Sequence, residues 1–100
     1  MTAPAPECPA CRAALTQAER VASICGDVFG DEYIDTFYRC ARCGAYSRES
    51  FRDRFSGPSS ARVERLEAQA AEALIELVRR CPSPADEDCR CEAHREYFRI

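Results

Sequence analysis

Cys40-Ala41-Arg42-Cys43-Gly44, entered through the run Tyr33 to Arg39 (YIDTFYR) and matched upstream by Cys8-Pro9-Ala10-Cys11, decides how this chain folds. Two residues between thiolates let a tight turn aim both sulfurs at one ion about 2.3 Å away, and two such turns complete a tetrahedron. The two knuckles are 28 residues apart. Gly44 tolerates the positive φ that such turns often need. Cys8, Cys11, Cys40 and Cys43 are therefore expected to hold one metal ion.

Working outward, Arg20 to Phe29 (RVASICGDVF) and Tyr33 to Arg39 flank Gly30-Asp31, a dipeptide suited to a hairpin turn. Ala45 to Phe55 (AYSRESFRDRF) reads as a third strand, with Phe51 and Phe55 on one face and Arg48 and Arg52 on the other. Three strands around two knuckles predict a zinc ribbon. A rubredoxin-type iron site uses the same four sulfurs and is the alternative. A redox dithiol would need a βαβ setting, which this pattern lacks.

Gly57-Pro58-Ser59-Ser60 breaks the pattern and reads as a helix start. Val63, Leu66, Ala70, Ala73 and Leu77 then fall at spacings of 3, 4, 3 and 4, widened by Leu74 and Val78. This predicts one amphipathic helix over 61–80, a rod of about 30 Å, ended by Cys81-Pro82. The expected fold class is a small metal-stabilised α+β protein. It combines a three-stranded antiparallel zinc ribbon, one long amphipathic helix and a C-terminal zinc-tied tail. Two units are expected, 1–57 (N-terminal tail and ribbon) and 58–100 (helix with its metal-binding tail).

A second constellation closes the chain. Cys89 and Cys91 are two apart, so on an extended backbone both side chains leave the same face. His94 lies three further on, and Cys81 returns across seven residues as a fourth ligand. Three cysteines and one histidine predict a second zinc. The alternative is a labile thiol cluster beside an exposed histidine. One such ion would fold back the tail and present Tyr97, Phe98 and Ile100 against the helix or a partner. The sites share no ligand, so the tail is expected to be separable from the ribbon. Cys25, inside an apolar run, remains as a buried small hydrophobe.

Composition agrees with metal as the staple. Of the 46% of residues counted as hydrophobic, 16 are Ala and 8 are Cys, leaving 22 larger apolar side chains in 100 residues. So thin a core needs covalent or metal reinforcement, and it argues against an enclosed substrate cavity or small-molecule substrate. Two closed four-ligand sites use the single His, so no open position and no spare base remain for catalysis. Both ions are read as structural, two Zn2+ per chain. Residues 1–7 are a Pro/Ala tail with no pattern that could order it, and Met1 to Pro6 lacks the basic, apolar signature of a signal peptide. No apolar run is long enough to cross a membrane. A reducing cytoplasmic location is expected, where thiols are metal ligands before they are disulfides.

All 14 basic residues are Arg. Arg39, Arg42, Arg48, Arg52 and Arg54, with Tyr38 and Tyr46, could form a cationic face for single strands. Seven metal-bound thiolates and two Zn2+ move the formal charge from −3 to about −6. That sign argues against nucleic acid as partner.

Residues 31–44, Asp-Glu-Tyr-Ile-Asp-Thr-Phe-Tyr-Arg-Cys-Ala-Arg-Cys-Gly, resemble the second half of the transcript-cleavage zinc ribbons of RNA polymerase factors. Asp31, Glu32, Thr36, Phe37, Cys40, Cys43 and Gly44 stand at that family's spacing. The resemblance implies a hairpin whose acidic pair helps hold a metal ion in the polymerase active centre. It covers about 14 of 100 residues. The basic and Ser residues that precede the acidic pair in the family are Asp27-Val28-Phe29-Gly30 here, and the usual Pro after it is Tyr33.

The expected function is a non-catalytic zinc-binding accessory or adaptor protein. It would act through a protein partner or a homodimer, using the 61–80 helix and C-terminal tail. The alternatives are a transcription-associated ribbon contacting RNA polymerase or nucleic acid, and a metal donor or redox-sensitive regulator.

Overall fold

Two nine-residue runs carrying Val, Ile, Phe and Tyr produce a long antiparallel hairpin, β1 (Arg20–Val28) and β2 (Asp31–Arg39). The computed structural model describes residues 5–99. The start of the tail (Met1 to Pro4) and Ile100, proposed above as a contact residue, lie outside the described residues, but the end of the tail is ordered: Glu7 bridges to Ala14, and the Pro6 carbonyl accepts the Leu15 N–H at 2.7 Å. The hairpin turns at Phe29 and Gly30, one residue earlier than Gly30-Asp31 suggested. Both have positive φ, 54° and 88°, as a type I′ turn requires. The Asp27 carboxylate accepts the Gly30 N–H at 3.0 Å and holds the turn.

β3 (Tyr46–Asp53) pairs with β2, setting Ile34 opposite Phe51 and Phe37 opposite Arg48. The following segment overturns the expected three strands and long helix. Residues Ser60–Leu66 form a fourth strand, β4, on the outer side of β3, and only Ala68–Arg79 are helical (α1). The strand order is β1-β2-β3-β4. Glu67, with φ −62° and ψ 140°, is extended and separates the two elements. At 12 residues α1 is about 18 Å long.

The cause is tertiary. Ala, Glu, Arg and Leu favour helix locally, but β3 offers an unpaired edge, and Arg48 on it forms an ion pair with Glu64. Ladder hydrogen bonds and cross-strand pairing outweigh that weak propensity. The apolar stripe therefore changes phase at residue 67. Val63 and Leu66 belong to opposite faces of a strand, while Ala71, Ile75, Leu77 and Val78 are the buried residues of α1. Ala70 and Ala73, placed on the stripe by spacing, are exposed.

Residues paired across strands share a face, so Ala22, Ile24 and Gly26 of β1 stand with Tyr33, Asp35 and Phe37 of β2. This face carries the helices. Ile24, Phe37, Ile75 and Val78 form one buried cluster, flanked by Tyr46, Leu66, Leu74, Tyr97 and Phe98. The last two come from a short second helix, α2 (Glu92–Phe98), absent from the sequence-based expectation. Phe98 packs where Gly26 leaves room, and a Cβ on Gly26 would collide with its ring. Tyr97 meets Phe37 edge-on at 6.3 Å and donates its hydroxyl to Asp35. Burial and the neighbouring Asp35 carboxylate raise the Tyr97 pKa, so the phenol stays a donor. Residues before and after position 57 thus share one core. The segment before α2 also covers the outer edge of β1, where the Cys25 N–H donates to the Pro84 carbonyl at 2.7 Å.

Candidate metal centres

The two N-terminal knuckles have the same backbone. In the first, Cys8 N–H donates to Ala13 O at 2.8 Å and Arg12 N–H to Cys8 O at 2.7 Å. In the second, Cys40 N–H donates to Ala45 O at 2.9 Å and Gly44 N–H to Cys40 O at 2.8 Å. The fourth residue after each leading cysteine is left-handed, with φ 67° at Arg12 and 78° at Gly44. Each turn exposes amide hydrogens to its sulfurs. The requirement for positive φ is thus met by glycine in one knuckle and by a side-chain-bearing residue in the other. Gly44→Ala is expected to cost about 1–2 kcal/mol through backbone strain, because nothing lies within 4 Å of the added Cβ. Arg12→Gly should cost less than about 0.5 kcal/mol, since relieved strain offsets the added freedom of the unfolded chain. Thermal unfolding at a fixed zinc excess checks both; equal losses would remove the strain argument.

The turns bring the four predicted sulfurs together. Cys8 and Cys43 stand 3.6 Å apart and Cys11 and Cys40 3.7 Å apart, and all four lie within 4.8 Å of one another. Sulfurs placed tetrahedrally 2.3 Å from an ion would be about 3.8 Å apart. Cys8 and Cys40 are fully buried, packed with Leu15 and Tyr38, whereas Cys43 is at the surface. Burial opposes ionisation of Cys8, but the N–H groups of Cys11 and Ala10 outweigh it and bring its pKa down to about 7. Cys43 is favoured by the Ala45 N–H, yet burial and the neighbouring thiols push it up to about 11. Without a cation the four sulfurs cannot ionise together. A divalent ion removes that conflict, and the donor set fits one.

Glu19 was not anticipated. Its carboxylate accepts N–H groups from Ala41 at 2.9 Å and Thr16 at 3.0 Å, tying the second knuckle to the loop after the first. Those donors lower its pKa, the Ala41 N–H most. The pattern Thr16-x-x-Glu19 is a capping-box signal and could have found it.

The second cluster gathers the other four predicted residues. Cys81 follows α1, Cys89 ends a turn closed by its N–H on the Asp86 carbonyl at 3.1 Å, and Cys91 caps α2. The Cys91 sulfur accepts the His94 N–H at 3.3 Å, which places the imidazole of the first turn beside the thiols. Cys81 Sγ is 3.7 Å from Cys89 Sγ and 3.4 Å from His94 Nδ1. For a mixed sulfur and nitrogen tetrahedron the S···N distance is about 3.5 Å. Burial, and then the neighbouring thiols, raise Cys81 to about 12, against the Ser83 N–H. Nδ1 is the ring nitrogen that faces the thiols, while Nε2 is buried without a hydrogen-bond partner among the described residues.

Both clusters therefore fit a bound metal ion, and their sulfur-rich tetrahedral donor sets fit zinc. Cys25 joins neither, and burial raises its pKa. Asp31, the first member of the acidic pair, pairs with Arg52 and accepts the Phe55 N–H at 3.1 Å, so it organises the β3–β4 turn. Glu32 beside it is exposed. Among the described residues no helix is long and apolar enough to cross a membrane. Compared with known protein families, with curated proteins and with solved structures, the chain has no match.

Proposed function

We propose that this chain is a non-catalytic adaptor built on a zinc ribbon, with two structural Zn2+ ions, working by protein contact inside a larger cytoplasmic complex. The observation that carries the metal half is the pair of four-donor clusters, each supplied wholly by the chain. Four protein ligands leave a tetrahedral zinc no position for water or substrate.

The contact half rests on one end of the sheet. Phe29, 97% exposed, and Phe55, 87% exposed, stand in adjacent turns; a Cβ on Gly30, next to Phe29, would lie 3.6 Å from Phe55 Cβ. Phe29 is held there despite its left-handed backbone, which costs about 1–2 kcal/mol. Two aromatic rings fixed in water by ordered turns support a docking role. Ile75 and Val78 of α1, with Leu74 beside them, pack on the sheet, so the aromatic turns rather than that stripe support this contact. The polymerase reading is the weaker one, because Asp31 is already engaged by Arg52.

Affinity capture with metal-loaded protein tests the reading. A stoichiometric partner retained by the wild type and lost on Phe29→Ser with Phe55→Ser is expected. A partner retained equally by both would reject this surface, and transcript cleavage lost on Glu32→Ala would favour the polymerase alternative.

A further inference from the structure

The sheet has two edges, and only one is covered. β1 is capped by the Pro84 carbonyl, while β4 has β3 on one side and no strand on the other among the described residues. An open row of backbone donors and acceptors is a template for another strand. Its sequence, Ser60-Ala61-Arg62-Val63-Glu64-Arg65-Leu66, restricts what can pair there. Antiparallel pairing of two β4 strands about Val63 places each Arg62 opposite Glu64 of the second copy, twice by symmetry. Moving the two-fold axis one residue either way puts Arg62 on Arg62 or Glu64 on Glu64. Like charges directly opposite each other are disfavoured.

The neighbouring strand continues the same pattern. Arg48 sits directly across from Glu64 within one chain, so a joined sheet would read Arg48, Glu64, then Arg62 of the second copy along one row. Within the chain Arg62 stands across from Ser50, and its side chain, 81% exposed, reaches Glu64 two residues along the same strand at 3.9 Å. Val63, on the opposite face and half-buried, would meet its own copy on the axis.

We propose that two copies of this chain join edge to edge through β4, antiparallel about Val63, into one continuous eight-stranded sheet. The pairing adds about six to eight backbone hydrogen bonds. The contact is isologous, so it closes as a dimer rather than growing into a fibre. It rests on the reading that the chain works by protein contact and names a second copy as one such partner.

Sedimentation equilibrium of the zinc-loaded protein, with hydrogen exchange at high and low concentration, tests it. A dimer is expected at about 100 μM, with amides of 60–66 gaining protection as concentration rises. Arg62→Glu sets the introduced carboxylate against Glu64 and should weaken the dimer roughly tenfold or more. Mixing Arg62→Glu with Glu64→Arg chains should restore a heterodimer, because both cross-pairs are then opposite in sign. If the second variant does not fold, the single variant and wild-type exchange decide. A monomer at about 100 μM, or a dimer indifferent to Arg62→Glu and without protection at 60–66, overturns the edge contact. Either result leaves the adaptor reading to be judged by the Phe29 and Phe55 surface alone.

Discussion

Cys40→Ser is expected to cost the chain its first zinc ion and its cooperative thermal transition. Cys40 is 1% exposed, directly follows β2 and is packed with Cys8, Leu15 and Tyr38. Removing its thiolate removes the fourth ligand of the first centre and part of the small cluster built around it. Structural zinc contributes on the order of 10–16 kcal/mol in isolated zinc peptides, while a whole domain is stable by about 5–15 kcal/mol. A loss of that size exceeds what the sheet core can offset. Cys25→Ser is the control, since Cys25 belongs to neither cluster; two zinc ions and an almost unchanged midpoint are expected. Elemental analysis with circular dichroism during heating measures both variants. An unaltered transition in Cys40→Ser would mean that the four thiols hold no structural ion. Iron in the native protein would replace zinc in the assignment.

His94→Ala should release the second ion and undock α2, with effects that reach the sheet. Nδ1 of His94 is 3.4 Å from the Cys81 sulfur and closes the cluster. The same short helix carries Tyr97 onto Asp35 and Phe37, and Phe98 onto Gly26. Seven residues are too few for a helix to persist alone in water, so α2 depends on its metal and its docking together. Loss of hydrogen-exchange protection is expected over 81–99 and also over 22–26 and 33–37. The sequence suggested a separable tail, with changes confined to residues after about 80. Protection lost only there would restore that picture and show the Tyr97 and Phe98 contacts to be dispensable.

The eight residues that gather in the two candidate clusters were legible without coordinates, because knuckle spacing is local: thiols separated by two residues, and a His one helical turn after a Cys, can reach one ion from short turns. The β1–β2 hairpin was legible for the same reason, its turn being displaced by one residue because both Phe29 and Gly30 take positive φ.

Residues 60–67 were not legible. Their helical propensity and 3–4 spacing are intrinsic to the segment, whereas the edge of β3 and the Arg48–Glu64 pair that make it a strand exist only once the sheet has formed. Helix α2 follows the same rule: its Cys91 cap is local, but the Gly26 gap that receives Phe98 belongs to a distant stretch of chain. The knuckle spacings and the hairpin turn were fixed by neighbours in the sequence. The choice between helix and strand, the docking of α2 and the exposure of one sheet edge were fixed by long-range pairing, whose energy no local window contains.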